Sequence, residues 1–111
     1  MTTNNIDQLQ NYFYSFRSKN VEELNNIFSE DVELKDWNNE FVGKPQVMEE
    51  IVGIFQNFDT IELDIVQIYK SSNNKFACEI TIHLDGEMLR VMDLIDFNDD
   101  GKITQLVAYK R

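Results

Sequence analysis

The sequence predicts an α+β domain in which helices pack on one face of a curved, largely antiparallel sheet. Three observations lead there. Apolar residues recur at helical spacing in three stretches before residue 59. From Thr60 onward they recur at every second position, and clusters of Asn, Asp and Gly punctuate that second half at hairpin spacing. The expected order is helix, helix, strand, helix, then four strands.

Each element follows from its own pattern. Ile6, Leu9, Phe13 and Phe16 form a helical stripe with Tyr12 on its edge. A second, short helix follows Asn20, with Val21, Leu24, Ile27 and Phe28 as its apolar side. Asn20 is its N-cap, and Glu23 three residues on makes a variant capping box. In "DVELKDW" the positions Val32, Leu34 and Asp36 alternate with Glu33, Lys35 and Trp37, a strand whose apolar face runs into a carboxylate. "NNEFVGK" reads as a turn-rich connection. Pro45 then opens a third helix carrying Val47, Met48, Ile51, Ile54, Phe55 and Phe58.

The rest has period two. Residues 61–70 are a strand whose apolar face switches near Ile65 and Val66, the mark of a bulge. "KSSNNK" is a turn, after which Phe76, Cys78, Ile80, Ile82 and Leu84 alternate with Ala77, Glu79, Thr81 and His83. Asp85 and Gly86 signal a hairpin. Residues 88–97 and 103–109 are two further strands joined by "NDDGK".

Composition narrows the function. A chain of 111 residues builds one core, so residues 1–111 form a single domain. Twenty acidic residues against ten basic ones give a net charge of −10, which argues against a nucleic-acid partner because a phosphate backbone needs a basic face. No signal peptide, lipidation motif or apolar run near membrane-spanning length is visible, so no membrane partner is expected. The single cysteine, Cys78, excludes an intrachain disulfide and suits a reducing, cytoplasmic setting.

One motif invites a metal. From Asp96, "DFNDDGKI" follows the first eight positions of an EF-hand calcium loop. The twelfth position, which must supply a bidentate carboxylate, is Val107, and both flanks alternate as strands rather than helices. The residues serve a turn instead, and no metal or cofactor is expected.

Three other residues carry chemical interest. Asp93 stands among Leu89, Val91, Ile95 and Phe97 on one strand face, and a buried carboxylate must take up a proton or find a donor. It is a functional acid, a group at an edge position open to solvent, or a structural group hydrogen-bonded to backbone. Asp36 ends the Val32–Leu34 face, where it either points into a cavity mouth or caps a helix or turn. Tyr12 is a core aromatic or a hydroxyl aimed at a site. His83 lies on the polar strand face with Glu79 and Thr81, and Cys78 is a small core residue.

With these residues in view, the chain resembles the SnoaL-like and ketosteroid-isomerase branch of the nuclear transport factor 2-like superfamily. The resemblance runs from Ile6 to Lys110 and rests on "YFYSFRSKNVEELNNIFSEDVELKD", "GKPQVMEEI" and "VMDLIDFNDDGKITQL". It implies a cone of three helices and a sheet enclosing an apolar pocket. It also implies that Asp36 is a general base, with Tyr12 and a protonated Asp93 as an oxyanion hole; an acid held neutral by an apolar site is this family's own example in general enzymology. The pocket would be lined by Phe16, Trp37, Ile51, Phe55 and Val91. The chain departs from the isomerases in having Trp37 where they have proline, Ile51 and Phe55 where they carry further tyrosines, and no C-terminal extension.

Three functions follow as expectations. The first is an isomerase-like enzyme that abstracts a proton α to a carbonyl of a small apolar substrate, or a hydrolase or cyclase using the same pocket. The second is a non-catalytic module holding a small apolar ligand. The third is an accessory homodimer, suggested by the apolar residues on both faces of Met88–Leu94.

Overall fold

A computed structural model describes residues 5–111. The chain forms α1 (Asn5–Arg17), α2 (Val21–Ile27), β1 (Phe28–Lys35), β2 (Glu40–Val42), α3 (Lys44–Asn57), β3 (Ile61–Ser72), β4 (Lys75–Leu84), β5 (Glu87–Phe97) and β6 (Ile103–Lys110). Three helices pack on a six-stranded sheet ordered β2-β1-β6-β5-β4-β3. Every neighbouring pair is antiparallel except β1 and β6. The α+β class is therefore as expected.

The core lies between the helices and one sheet face. Leu9 and Phe13 of α1, Leu24 and Ile27 of α2, and Val47 and Ile51 of α3 meet Val32, Ile80, Ile95 and Ile103 from the strands. Burying each such side chain contributes on the order of 1.5–3 kcal/mol, which outweighs the weak intrinsic stability of helices as short as α2. No helix of the described residues is long and apolar enough to cross a membrane.

Local chemistry explains the boundaries. The Asn20 side chain accepts the Glu23 N–H at 3.1 Å and starts α2. The Glu23 carboxylate does not return to Asn20; it accepts from the Asn11 side chain at 2.9 Å, so the expected capping box is only half made and α1 and α2 are tied together instead. Phe28, expected on the helix, is the extended residue at which α2 ends and β1 begins, and its buried ring faces Tyr12 at 6.0 Å. "NNEFVGK" is more than a connection, because Glu40–Val42 pairs with Glu33–Lys35 as β2.

Lys19 is a second tie. It adopts φ +58° after α1, and its ammonium donates to the carbonyls of Phe55 (3.0 Å), Phe58 and Asp59 (3.1 Å) at the end of α3. A cation there satisfies carbonyls that have no intrahelical donor and complements the helix dipole.

In the sheet, the pairing of β3 with β4 shifts register between Ile65 and Gln67, where the sequence predicts a bulge. Asp85 and Gly86 turn β4 into β5 with φ values of +50° and +88°, as a type I′ hairpin requires. The EF-hand-like segment is the turn from β5 to β6. Asn98 Oδ1 accepts the N–H groups of Asp100 and Lys102, both at 3.0 Å, and Gly101 takes φ +76°.

Candidate functional site

Between α1, α3 and the inner sheet face lies a cavity of about 200 Å³. Its walls are overwhelmingly hydrocarbon, because the inward positions of β4, β5 and β6 that face it are Ile80, Ile82, Leu84, Leu89, Val91, Leu106 and Ala108. Leu34 of β1, the ladder partner of Leu106, extends this wall, and Ile51, Ile54 and Phe58 line the cavity from α3 and its end. Against this background its few polar groups stand out.

Asp93 is one of them. Its inward direction is set by strand alternation, since Val91 and Ile95 on either side are also buried. Only 8% of Asp93 is exposed, no hydrogen bond reaches its carboxyl among the described residues, and burial pushes its pKa up to about 7. A carboxyl that titrates there is a hydrogen-bond donor below pH 7 and a stranded charge above it. Tyr12 of α1 lines the same cavity. Burial, then the nearby Asp93 charge, then Cys78 hold its phenol well above the ordinary value, so it remains a donor.

Asp36 sits elsewhere, at the rim. It is the first residue after β1, half-buried, and it heads a tight turn. Its Oδ1 accepts the N–H groups of Asn38 and Asn39, both at 2.7 Å, while its own N–H donates to the Asn39 carbonyl at 2.9 Å. These bonds engage one carboxylate oxygen; no hydrogen bond to the other occurs among the described residues. The two expectations for Asp36, a turn cap and a rim carboxylate, are thus met by one side chain. Trp37 follows it at 45% exposure, with the Lys110 ammonium 5.9 Å from the ring centroid.

Of the residues expected in the pocket, Phe16, Trp37, Ile51 and Val91 line the cavity and Phe55 does not. Phe55 is rotated behind the wall, where it meets Phe16 edge-on at 5.3 Å and braces it. The residues of this stretch that reach the space instead are Glu50 and Ile54 of α3, one helical turn apart, and Phe58, the extended residue that ends the helix. Glu50 brings a third carboxylate to the cavity, after Asp93 and Asp36, and Lys35 a cation beside Asp36. Neither stood out in the sequence, because a charged residue on an exposed helix or strand edge is the commonest surface feature there is.

Known proteins share this architecture. The family model of the SnoaL-like domain matches residues 9–106. An NTF2-like protein of unknown function from Cytophaga hutchinsonii superposes with a TM-score of 0.83 at 14% identity, covering 100% of this chain and 92% of its own. A steroid delta-isomerase from Pseudomonas aeruginosa gives a TM-score of 0.78 at 16% identity, covering 100% and 82%. A candidate SnoaL-like polyketide cyclase from Shewanella denitrificans gives 0.83 at 10% identity, covering 96% and 90%. At such identities the likeness is one of fold. No curated protein matches the chain.

Proposed function

The chain belongs to the SnoaL-like domain family, and from that premise we propose that it is an isomerase-like enzyme that moves a proton α to the carbonyl of a small apolar ketone. The observation that carries this reading is the division of carboxyl groups in one cavity. Asp93 is buried, accepts no hydrogen bond among the described residues and is neutral below about pH 7, whereas Asp36 stands at the rim with two N–H groups on one oxygen.

In this reading the substrate carbonyl accepts from the Tyr12 hydroxyl and the protonated Asp93. Asp36 removes the α proton, the C–H electron pair becomes the new C=C bond, and the carbonyl π pair moves onto oxygen as an enolate. Asp36 then returns a proton, either the one it took or one exchanged with solvent, to the α carbon or, in a β,γ-unsaturated ketone, to the γ carbon. In the latter case the oxygen pair re-forms C=O, the remaining double bond moves from β,γ to α,β, and the Asp36 carboxylate is restored. Size limits the substrate. About 200 Å³ falls below the roughly 300–1,000 Å³ typical of drug-sized pockets, so a one- or two-ring ketone suits the space better than a steroid.

The test is proton exchange in D₂O with a panel of small cyclic enones, followed by proton NMR. The reading expects loss of the α-proton signal with wild type and not with Asp36→Asn. Binding in both proteins with exchange in neither would instead make this a ligand-binding module.

A homodimer is the second part of the reading, supported by a specific row. Tyr69, Ala77, Leu94 and Val107 are paired across β3, β4, β5 and β6 on the sheet face away from the helices. Tyr69 and Leu94 are 52% and 38% exposed, an apolar band that a second copy would cover.

A further inference from the structure

Cys78 has no part in the chemistry above, yet it is the residue directly opposite Asp93 across the β4–β5 ladder. Both side chains point inward, and Cys78 has no exposed surface at all. It therefore touches no ligand; what it touches is the environment of the acid. Directly opposed residues on one sheet face hold their Cβ atoms about 4.5–5.5 Å apart, close enough for a serine or threonine hydroxyl to hydrogen-bond its partner. A hydroxyl at position 78 would donate to the Asp93 carboxylate and favour its charged form. A thiol fills nearly the same space and is a weak donor.

We propose that Cys78 is a positioning residue that withholds a hydrogen bond from Asp93 and so keeps the cavity floor a carboxylic acid rather than a carboxylate. The inference rests on the reading of Asp93 as a donor in the proposed reaction. Facing Asp93 are the Tyr12 hydroxyl from α1, the Cys78 thiol from β4 and the Ala108 methyl from β6, while Lys35, Asp36 and Glu50 border the same cavity. The thiol adds no competing charge, since burial, and then the Asp93 charge, push its pKa up to about 12.

The experiment is a carboxyl-carbon NMR titration of Asp93 in wild type, Cys78→Ser, Cys78→Thr and Cys78→Val, with folding checked by near-UV circular dichroism. Two hydroxyl variants are used so that one remains if the other fails to fold. The expected result is a midpoint lowered by about one pH unit or more in the hydroxyl variants, roughly a tenfold loss of proton affinity. Cys78→Val should stay at the wild-type midpoint or above it. Hydroxyl variants that titrate with wild type, or a valine variant that falls as far as they do, would overturn the inference while leaving Asp93 as a donor. A wild-type midpoint at the ordinary value of 3.8 would instead remove the donor itself, and with it the function proposed above.

Discussion

Asp36 and Asn39 close the rim turn reciprocally: the Asn39 N–H donates to Asp36 Oδ1 at 2.7 Å, and the Asp36 N–H donates to the Asn39 carbonyl at 2.9 Å. One aspartate thus shapes the loop that presents it. The arrangement also orients the carboxylate, because the oxygen held by the turn fixes the direction of the other. In the proposed reaction a base must be held within hydrogen-bond reach of the proton it takes, and the backbone would do that holding.

The two roles separate by substitution. Asp36→Asn keeps an acceptor oxygen for the turn and loses the base, so it should lower turnover by about 10²–10⁴-fold with little change in Tm. Asp36→Ala loses both, and should also cost about 1 kcal/mol of stability, as capping residues do. Paired activity and thermal-melt measurements on the two variants check this.

Tyr12→Phe removes one of the two donors of the proposed reaction and retains the ring that packs on Phe28 and Phe16. Loss of a single donor to a developing oxyanion should lower kcat by about 10²–10³-fold. The Tm should hold, because the packing is unchanged. Steady-state kinetics beside a melting curve decide it.

Burial of Asp93 has a signature in stability. Its proton is held more tightly in the folded chain, with a pKa of about 7, than at the ordinary value of 3.8. Folding therefore takes up a proton between those values. The contribution of this group is most favourable below pH 4, declines by up to about 1.4 kcal/mol per unit as pH rises towards 7, and is flat beyond. Subtracting the urea-denaturation stability of Asp93→Asn from that of wild type across pH 4–8 should reveal that decline. A difference that does not vary with pH would mean that the carboxyl is solvated.

Lys19→Met tests the tie at the end of α3. Three carbonyl acceptors lose their cation, and since hydrogen bonds to charged groups contribute about 1.5–3 kcal/mol, a loss in that range is expected. Chemical denaturation measures it. Phe58 belongs to both this tie and the cavity wall, so ligand affinity should fall along with stability.

For the sheet face, Leu94→Lys places a charge in the centre of the exposed apolar row. Sedimentation should find two chains in wild type and one in the variant. A monomeric wild type would contradict the expected dimer.

Much of this molecule was legible beforehand, for identifiable reasons. Asp93 stood out because strand alternation has a strict period of two, and a carboxylate in register with Val91 and Ile95 has to face inward with them. The bulge at Ile65 was legible in the same way, as a break in that period. Phe55 misled because a helical stripe spans more than 100°; membership of the stripe does not say which edge faces a cavity and which faces a neighbouring ring. Phe28 misled because the apolar stripe of α2 continues unbroken into the strand that follows, and only the backbone changes. Glu40–Val42 was hidden by its length, since three residues among Asn, Glu and Gly carry no periodicity to detect.

The most direct test is a carboxyl-carbon NMR titration of Asp93 in the wild-type protein, free and with 2-naphthol as a neutral donor–acceptor probe of the cavity. The account predicts a free midpoint near 7 and a higher one with the phenol bound, because the neutral acid donates to the ligand oxygen and binding then favours the protonated form. A midpoint at the ordinary 3.8, or one that bound phenol leaves unmoved, would contradict a neutral Asp93 acting as the donor at the floor of the site.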